Sequence, residues 1–387
     1  MTLWSLEFFR CPISGEKLIL EDAVIETVPL TDETRELAKR LGLPVEKLEQ
    51  RVRTAVLHAP GSNYFYPVYE FVPVLFDFKN EFYYKAELFK AAAKKYKRPP
   101  SSRARKGELF VQKSFTTQWN MVQNHELTFT YTHEEREKFI ELEIIDKDAT
   151  IPVDYVALNV GCGFGMESQF LFNVIKRPTF GIDINFSMLN GVKHLMNNPL
   201  VTVALASAFA PPFANDTFNL VYSHGVLHHT FDTKKAFLSI LPKMKKVSGR
   251  IYIWVYALED AMRGGIKRTI GHYTEFAVRP ILAELPKWLQ HVWLYPMSVW
   301  HYRHHTKYGM NKDKWEFKNS MHSMSDRWLP KFAWRHTFHE VISWFLSNGL
   351  DYELLDPVAF QKTFGTSLIG IGIRGSSKET EPVPSVA

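Results

Sequence analysis

The chain has 387 residues, of which 45% are apolar, and its formal net charge is +6. This length and composition exclude a disordered protein and leave room for one large domain and a smaller one. The two cysteines, Cys11 and Cys162, exclude a disulfide framework and indicate a reducing compartment.

The N-terminal ten residues, MTLWSLEFFR, lack the basic start and the long apolar stretch of a signal peptide. No uninterrupted apolar run approaches the roughly 20 residues that a bilayer crossing needs. We therefore expect a cytoplasmic protein.

Residues 1–78 are expected to form a small α+β module. Its residues 31–52 have helical spacing that Gly42 and Pro44 divide into two short helices, and aromatic and branched residues at 63–76 favour strands. Residues 79–109 are expected to form a linker, basic and containing proline and serine near its end.

From about Phe110, strand and helix signals alternate, which predicts an α/β fold with a parallel, Rossmann-like sheet covered on both faces. The core would comprise 110–256 and 336–375, and the 257–335 insert is too long for a loop, so it should be a helical cap. A helix is expected at 339–346, and the polar tail 376–387 should be disordered. Seven strands are predicted, the last two as an antiparallel edge, at 156–160, 179–184, 201–205, 218–223, 250–256, 352–356 and 368–374.

A glycine-rich loop follows the first predicted core strand. Gly161, Gly163 and Gly165 alternate with other residues just before a predicted helix, where the backbone must turn sharply beside a ligand. Asp183 ends the next strand, where a carboxylate can accept hydrogen bonds from ribose hydroxyls. These residues predict a nucleoside-cofactor site. A tight turn at the glycines and a helix N-cap at Asp183 are the structural alternatives.

The net charge is concentrated in one segment. Residues 263–331 hold 12 Lys and Arg against 5 Asp and Glu, with five tryptophans and six histidines. Such a segment can meet an anionic substrate, a nucleic acid or a membrane surface, or it can be a solvated face above packed aromatic rings.

The glycine pattern is GxGxG, and Met166 stands where dinucleotide-binding proteins favour a glycine. With the segments GID at 181–183, ASAFAPPF at 206–213, DTFNLVYSHGVLHHT at 216–230 and KKVSGRIYIWVY at 245–256, this region closely resembles class I S-adenosylmethionine-dependent methyltransferases, especially the branch with the ubiquinone/menaquinone methyltransferases. Residues 114–120 and 326–341 are more weakly similar to bacterial methyltransferases of natural-product and surface-glycan type. The N-terminal module resembles a zinc-ribbon-like domain. Because Ser14 replaces one ligand and only Cys11 and His58 remain, no bound metal is expected.

The resemblance implies S-adenosyl-L-methionine as the cofactor, with the glycine loop along its methionine part and Asp183 on its ribose. Ser207 and Ala208 stand where the family usually places an acid and a small residue beside the adenine, and Asn159 replaces an acid before the first glycine. The full set of residues implied for the cofactor is Asn159, Gly161, Cys162, Gly163, Gly165, Asp183, Ile184, Ser207, Ala208, Phe209, Ser223 and Gly225.

Three histidines follow the fourth predicted core strand. His224 is placed to reach the methyl group or to act as a general base, and His228 and His229 match a pair found in the family. Each of the three has a structural alternative, as a packing or capping residue. The acceptor side is expected to include Gln118, Trp119, Asp326, Trp328 and His336.

The expected function is methyl transfer to a small-molecule acceptor, anionic or amphipathic, such as a natural product, a quinone, or a lipid or glycan intermediate. The basic aromatic cap is also compatible with peripheral contact to a membrane. An RNA methyltransferase and a cofactor-binding scaffold without turnover remain alternatives, and the oligomeric state is not defined by the sequence.

Overall fold

In the computed structural model, the described residues are 1–80, 92, 94–96, 99–121, 127–128, 130–144, 151–191, 195, 197–259 and 265–377. Parts of the predicted linker and residues 378–387 of the predicted tail lie outside them. The described strands, in chain order, are β1 (Ile19–Thr27), β2 (Gln50–His58), β3 (Phe65–Tyr69), β4 (Val72–Pro73), β5 (Leu127–Thr128), β6 (Tyr131–Thr132), β7 (Ala157–Val160), β8 (Thr179–Asp183), β9 (Val201–Leu205), β10 (Leu220–His224), β11 (Arg250–Val255), β12 (Leu350–Leu354) and β13 (Ile371–Ser377).

The described helices are numbered in the same way. They are α1 (Asp32–Arg40), α2 (Val45–Glu49), α3 (Glu108–Met121), α4 (His133–Ile144), α5 (Met166–Ile175), α6 (Met188–Gly191), α7 (Thr233–Ile240), α8 (Ile266–Glu284), α9 (Lys287–Tyr308), α10 (Phe317–Trp328), α11 (Phe338–Leu346) and α12 (Pro357–Phe364).

The N-terminal module is a four-stranded antiparallel sheet, β1-β2-β3-β4, that carries α1 and α2. The Thr31 side chain caps α1 by accepting a hydrogen bond from the Thr34 amide. The two predicted helices are present, but the helical pattern does not continue to residue 52. The chain becomes a strand at Gln50, because β2 pairs with β1 on one side and β3 on the other, and tertiary pairing overrides the local spacing.

The main sheet has seven strands in the order β12-β13-β11-β10-β7-β8-β9, which confirms the predicted fold class. Strands β7 to β11 pair in parallel, and β13 is antiparallel to both of its neighbours, β11 and β12. The strand order runs in opposite directions on the two sides of β7. This reversal leaves a crevice at the carboxyl ends of the strands, where ligands bind in such sheets.

The module and the main sheet share one hydrophobic core. The Leu75 amide donates to the Leu205 carbonyl at the end of β9, with an N···O distance of 2.7 Å. Phe9 is buried and stacks on Phe213, with 5.3 Å between the ring centroids. The module therefore extends the core of the sheet at its β9 edge.

The predicted insert is helical and consists mainly of α8, α9 and α10. Its two ends meet where His336 bridges to Ala257, and α11 then resumes the alternation. The last strand continues to Ser377, past the start of the predicted tail. Within the described residues, no helix has the length and apolarity that crossing a membrane would require.

Candidate active site

A cavity of about 450 Å³ opens at the carboxyl ends of the central strands. Its wall is formed by the loops after β7, β8, β9, β10 and β11, by α3 and α4, and by parts of the cap. This is the crevice that the strand order creates, so the cavity is the candidate functional site.

The glycine loop between β7 and α5 has a backbone that other residues would not adopt. Gly161 and Gly165 have φ values of +87° and +105°, in the left-handed region. A Cβ atom on Gly161 would lie 2.2 Å from Cγ2 of Val226, and one on Gly165 would lie 2.6 Å from Cδ1 of Leu195. The turn is therefore built for glycine at both positions, and Gly161 lines the cavity.

Asp183 lies at the end of β8 and lines the same cavity. Its Oδ2 accepts a hydrogen bond from the Gly163 amide at 2.8 Å, and its Oδ1 accepts one from the Asn185 amide at 2.9 Å. Burial raises the pKa of Asp183 to about 6. The carboxylate thus holds the glycine loop rather than a helix end, and it keeps lone pairs for hydroxyl donors.

The loop after β9 carries a carboxylate that sequence reasoning missed. Glu108, the first residue of α3, is 3% exposed, and its Oε1 accepts a hydrogen bond from Ser207 Oγ at 2.5 Å. Ser207 Oγ in turn accepts from the Phe209 amide at 3.1 Å. Glu108, Ser207, Ala208 and Phe209 all line the cavity. The Glu108 carboxylate therefore contacts Ser207, the residue at the position where the family usually has an acid.

The structure divides the residues predicted for the cofactor into two groups. Those that line the cavity are Gly161, Asp183, Ile184, Ser207, Ala208, Phe209 and Gly225. Those that lie behind its wall are Asn159, Cys162, Gly163, Gly165 and Ser223. In this second group, Asn159 donates to Ser168 Oγ at 3.3 Å, and Ser223 donates to the Val160 carbonyl at 2.9 Å, so both hold the loop from behind.

Among the predicted catalytic histidines, His224, at the end of β10, lines the cavity and contacts a carboxylate. Its Nδ1 lies 2.6 Å from Oε1 of Glu143, and its ring stacks on Trp254 at 4.8 Å between centroids. A carboxylate that accepts the Nδ1 proton leaves the Nε2 lone pair as the basic site of the neutral ring. His224 lines the cavity, so a ligand held there can contact its ring.

A buried network fixes Glu143, which lies on α4. The Tyr222 hydroxyl donates to its Oε2 at 2.5 Å, and the Tyr252 hydroxyl donates to its Oε1 at 2.6 Å. Arg136 in turn donates to the Tyr222 hydroxyl at 2.7 Å and to Glu167 at 3.2 Å. Burial acts to raise the pKa of Glu143, but the adjacent imidazole and Arg136 hold it below its ordinary value. Glu143 is therefore a fixed anion behind the histidine.

Sequence reasoning missed Arg136 and Glu143, although one signal was present. Both share helical spacing with Phe139 and Ile140, so two ionisable residues lie on the apolar stripe of α4. Charged residues are seldom fully buried unless they are paired, and this stripe carries one of each sign.

The other two predicted catalytic histidines differ from each other in position. His228 is fully buried outside the cavity wall, packs on Tyr256 at 3.9 Å between ring centroids, and has a pKa that burial lowers well below its ordinary value. His229 lines the cavity, and its Nδ1 lies 2.9 Å from the Phe332 carbonyl. Burial also lowers the pKa of His229. Both rings are therefore neutral near pH 7.

Of the residues predicted on the acceptor side, Gln118, Trp119 and Asp326 line the cavity, whereas Trp328 and His336 do not. His336 is instead held by Thr233, 2.9 Å from its Nε2, and Trp328 packs within the cap. Gln118 is 1% exposed, and its Oε1 has no hydrogen-bond partner among the described residues.

The polar groups of the wall suit S-adenosylmethionine. Its ribose hydroxyls, adenine amino group and ammonium are donors, and its sulfonium is a cation. Acceptors on the wall include the carboxylates of Asp183, Glu108 and Glu167. No cluster of three His, Cys, Asp or Glu side chains that could hold a metal ion occurs in the part of the chain that the structure describes.

Comparison with known proteins agrees with this site. A protein family described as "Methyltransferase domain" matches residues 158–253, which contain the glycine loop, Asp183 and His224. No curated protein sequence matches the chain.

Several solved structures are distantly similar. YcgJ from Bacillus subtilis is 16% identical, with 64% of this chain and 99% of that chain covered at a TM-score of 0.37. Phosphoethanolamine N-methyltransferase 2 from Haemonchus contortus, in complex with S-adenosyl-L-methionine, is 13% identical, with 65% and 45% covered at a TM-score of 0.38. Geranyl diphosphate C-methyltransferase from Streptomyces coelicolor is 11% identical, with 63% and 76% covered at 0.34. Likenesses this weak do not identify an acceptor.

Residues 158–253 are thus a class I methyltransferase domain, and the protein is an S-adenosylmethionine-dependent methyltransferase.

Proposed function

We propose that this S-adenosylmethionine-dependent methyltransferase methylates a small amphipathic molecule and that His224 accepts the proton that the acceptor loses. The observation that carries the proposal is the pair formed by His224 and Glu143 on the cavity wall, with 2.6 Å between Nδ1 and Oε1. A pair of this kind orients an imidazole as a general base.

The cofactor supplies an electrophilic methyl group on a sulfonium. The residues of the chain hold and shield the reactants. Gly161 leaves room against the backbone, Asp183 accepts hydroxyl donors, and α3 covers the loop through Gln118 and Trp119. Because holding two reactants at attack distance removes much of the barrier to a bimolecular displacement, positioning is the main contribution that these residues make.

The acceptor side of the cavity is largely apolar. Phe139, Trp254, Phe360, Leu368 and Ile369 line it near His224, with Asp326 and Met310 entering from the cap side. An acceptor with an apolar body and one nucleophilic group, placed at His224 Nε2, fits such a wall.

The cavity wall does not supply the positive charge that an anionic acceptor would need. Arg136 is the only Lys or Arg among the described residues of the cavity wall, and Glu167 and Glu143 neutralise it. Positive charge lies instead on the exterior of the cap. We therefore propose that the acceptor is amphipathic, and that any anionic group of the acceptor, or of the surface that carries it, meets the cap.

We propose that the chain belongs near the ubiquinone/menaquinone branch and that its first 78 residues are a metal-free relative of a zinc ribbon. Cys11 lies 3.2 Å from the Tyr66 hydroxyl, and His58 pairs with Glu21, which uses both of the remaining metal-ligand types in other contacts. Two buried free cysteines suit a cytoplasmic biosynthetic enzyme.

Transfer of labelled methyl from S-adenosylmethionine into a fractionated cell extract tests the proposal. We expect label in the organic-extractable fraction with the wild type. With His224→Asn, the rate should fall by about 10²–10⁴-fold, the usual contribution of a general base, while cofactor binding measured by calorimetry stays intact.

Glu143→Gln is the companion variant. It retains the side-chain volume but removes the charge that orients the imidazole, so kcat should fall and its pH profile should shift. Label only in RNA, or equal transfer by wild type and His224→Asn, would contradict the proposed function.

A further inference from the structure

The two long cap helices, α8 and α9, follow each other through Leu285 and Pro286, and both expose large apolar side chains. Ile266 is 80% exposed, and Trp288 and Trp300 are each 65% exposed. We use the name cap face for the large apolar side chains that these two helices expose. Its members are Ile266, Ile270, Tyr273, Phe276, Ile281, Trp288, Val292, Tyr295, Trp300 and Tyr308.

The polarity of α8 is reversed relative to an ordinary surface helix. Ile266, Ile270 and Tyr273 follow the i, i+4, i+7 spacing of one face, and that face is turned to solvent. The opposite side buries Glu275 and Arg279, paired at 3.2 Å and only 2% and 4% exposed. The apolar face of α8 is therefore turned to solvent and its charged face to the protein. Only contact with another apolar surface would bury the exposed isoleucines.

The charges around the cap face are positive. Lys287, Arg303 and Lys307 are exposed on α9, whereas the exposed acid at the end of α8, Glu284, is neutralised by Lys331 at 2.5 Å. Tryptophan and tyrosine beside lysine and arginine are typical of elements that lie in the headgroup region of a bilayer. A protein partner or a second copy has no such need for an excess of cations.

We propose that the cap face docks on a membrane surface that contains anionic lipids. The inference rests on the proposed amphipathic acceptor and deepens it, since Met310 and Asp326 connect the ends of α9 and α10 to the cavity wall. The acceptor is then drawn from, or presented at, the lipid surface that the cap face contacts.

Vesicle sedimentation of the full chain tests this inference, with vesicles of phosphatidylcholine alone and of phosphatidylcholine with phosphatidylglycerol. The wild type should bind the anionic vesicles more tightly, and binding should weaken with salt. Trp288→Ser together with Trp300→Ser should lower the partition coefficient at least about tenfold, because two large side chains no longer enter the interface.

Arg303→Gln together with Lys307→Gln should remove most of the preference for the anionic vesicles, with a loss of roughly tenfold or more. Val153→Ser is the matched control, because Val153 is 61% exposed but lies outside the cap. It should leave binding unchanged, and all of these variants should bind S-adenosylmethionine as the wild type does.

Three results would overturn the inference. They are equal binding to both kinds of vesicle, full binding by the tryptophan variant, and a wild-type dimer in sedimentation velocity that the tryptophan variant dissociates. Salt-sensitive retention on RNA without vesicle binding would assign the face to nucleic acid instead. Because cofactor binding is measured separately, a failure here is distinguishable from a failure of the proposed methyl transfer.

Discussion

Asp183 shows how one side chain can serve both the loop and a ligand. Its two oxygens accept from the amides of Gly163 and Asn185, yet burial raises its pKa from 3.8 to about 6. Hydroxyl donors bind the ionised carboxylate, so protonation competes with cofactor binding.

We expect the affinity for S-adenosylmethionine to be constant above about pH 6 and to fall by roughly tenfold for each pH unit below it. Calorimetric titration between pH 5 and pH 7 measures this. Asp183→Ala should bind weakly at every pH in that range. Equal affinity of the wild type at both ends of the range would show that Asp183 does not take part.

Folding stability has the opposite dependence on the same group. The folded pKa is raised, so the contribution of Asp183 is fully present below about pH 3.8 and is lost as the pH rises through about 6. In the ligand-free protein, the ionised carboxylate therefore lowers the free energy of unfolding. Hydrogen-bond donors of a bound ligand would offset this loss.

At the scale of elements, the turn that joins β7 to α5 should be sensitive to the loss of a glycine. Gly161→Ala forces a left-handed backbone on alanine and drives its Cβ to 2.2 Å from Val226. We expect a loss of roughly 2–5 kcal/mol in the free energy of unfolding, from backbone strain and overpacking together. Denaturant unfolding measures it.

Two variants separate the strain from the overpacking. Gly225→Ala has the same kind of backbone, with φ of +73°, but its new Cβ would meet nothing closer than 3.9 Å. It should cost only the strain, about 1–3 kcal/mol. Val226→Ala in the Gly161→Ala background should recover part of the difference, and no recovery would show that overpacking is not the cause.

The strands and the helices were not equally predictable. The core strands are apolar runs between turn residues, so their positions, and with them Gly161, Asp183 and His224, follow from the sequence. Glu143 lies on α4, which is rich in charge, whereas Glu108 is one of only two charged residues of α3. In both helices, only packing decides which charged residue turns inward. Glu108 in particular meets Ser207 across 99 positions of chain, a contact that no local pattern encodes.

At the scale of the whole molecule, the N-terminal module and the methyltransferase sheet are expected to unfold together. Val74 bridges to Leu205 beside β9, and the Arg10 amide donates to the Pro212 carbonyl at 2.8 Å. Buried side chains of the module and of the sheet belong to one continuous core. A shared core of this kind makes a single cooperative transition the expected behaviour, in spite of the sequence signals for a separate module.

Phe9→Ala tests this coupling because Phe9 belongs to the module but packs on the sheet side, 6.0 Å from Phe180 and 5.3 Å from Phe213 between ring centroids. Removing a buried phenylalanine should cost roughly 3–5 kcal/mol. Thermal unfolding followed by far-ultraviolet circular dichroism and by loss of S-adenosylmethionine binding should then shift to the same lower temperature with both probes. Val24→Ala, on an exposed position of β1, should shift neither probe measurably. If Phe9→Ala lowers the circular dichroism transition and leaves the binding transition in place, the module unfolds alone and the two parts are independent domains.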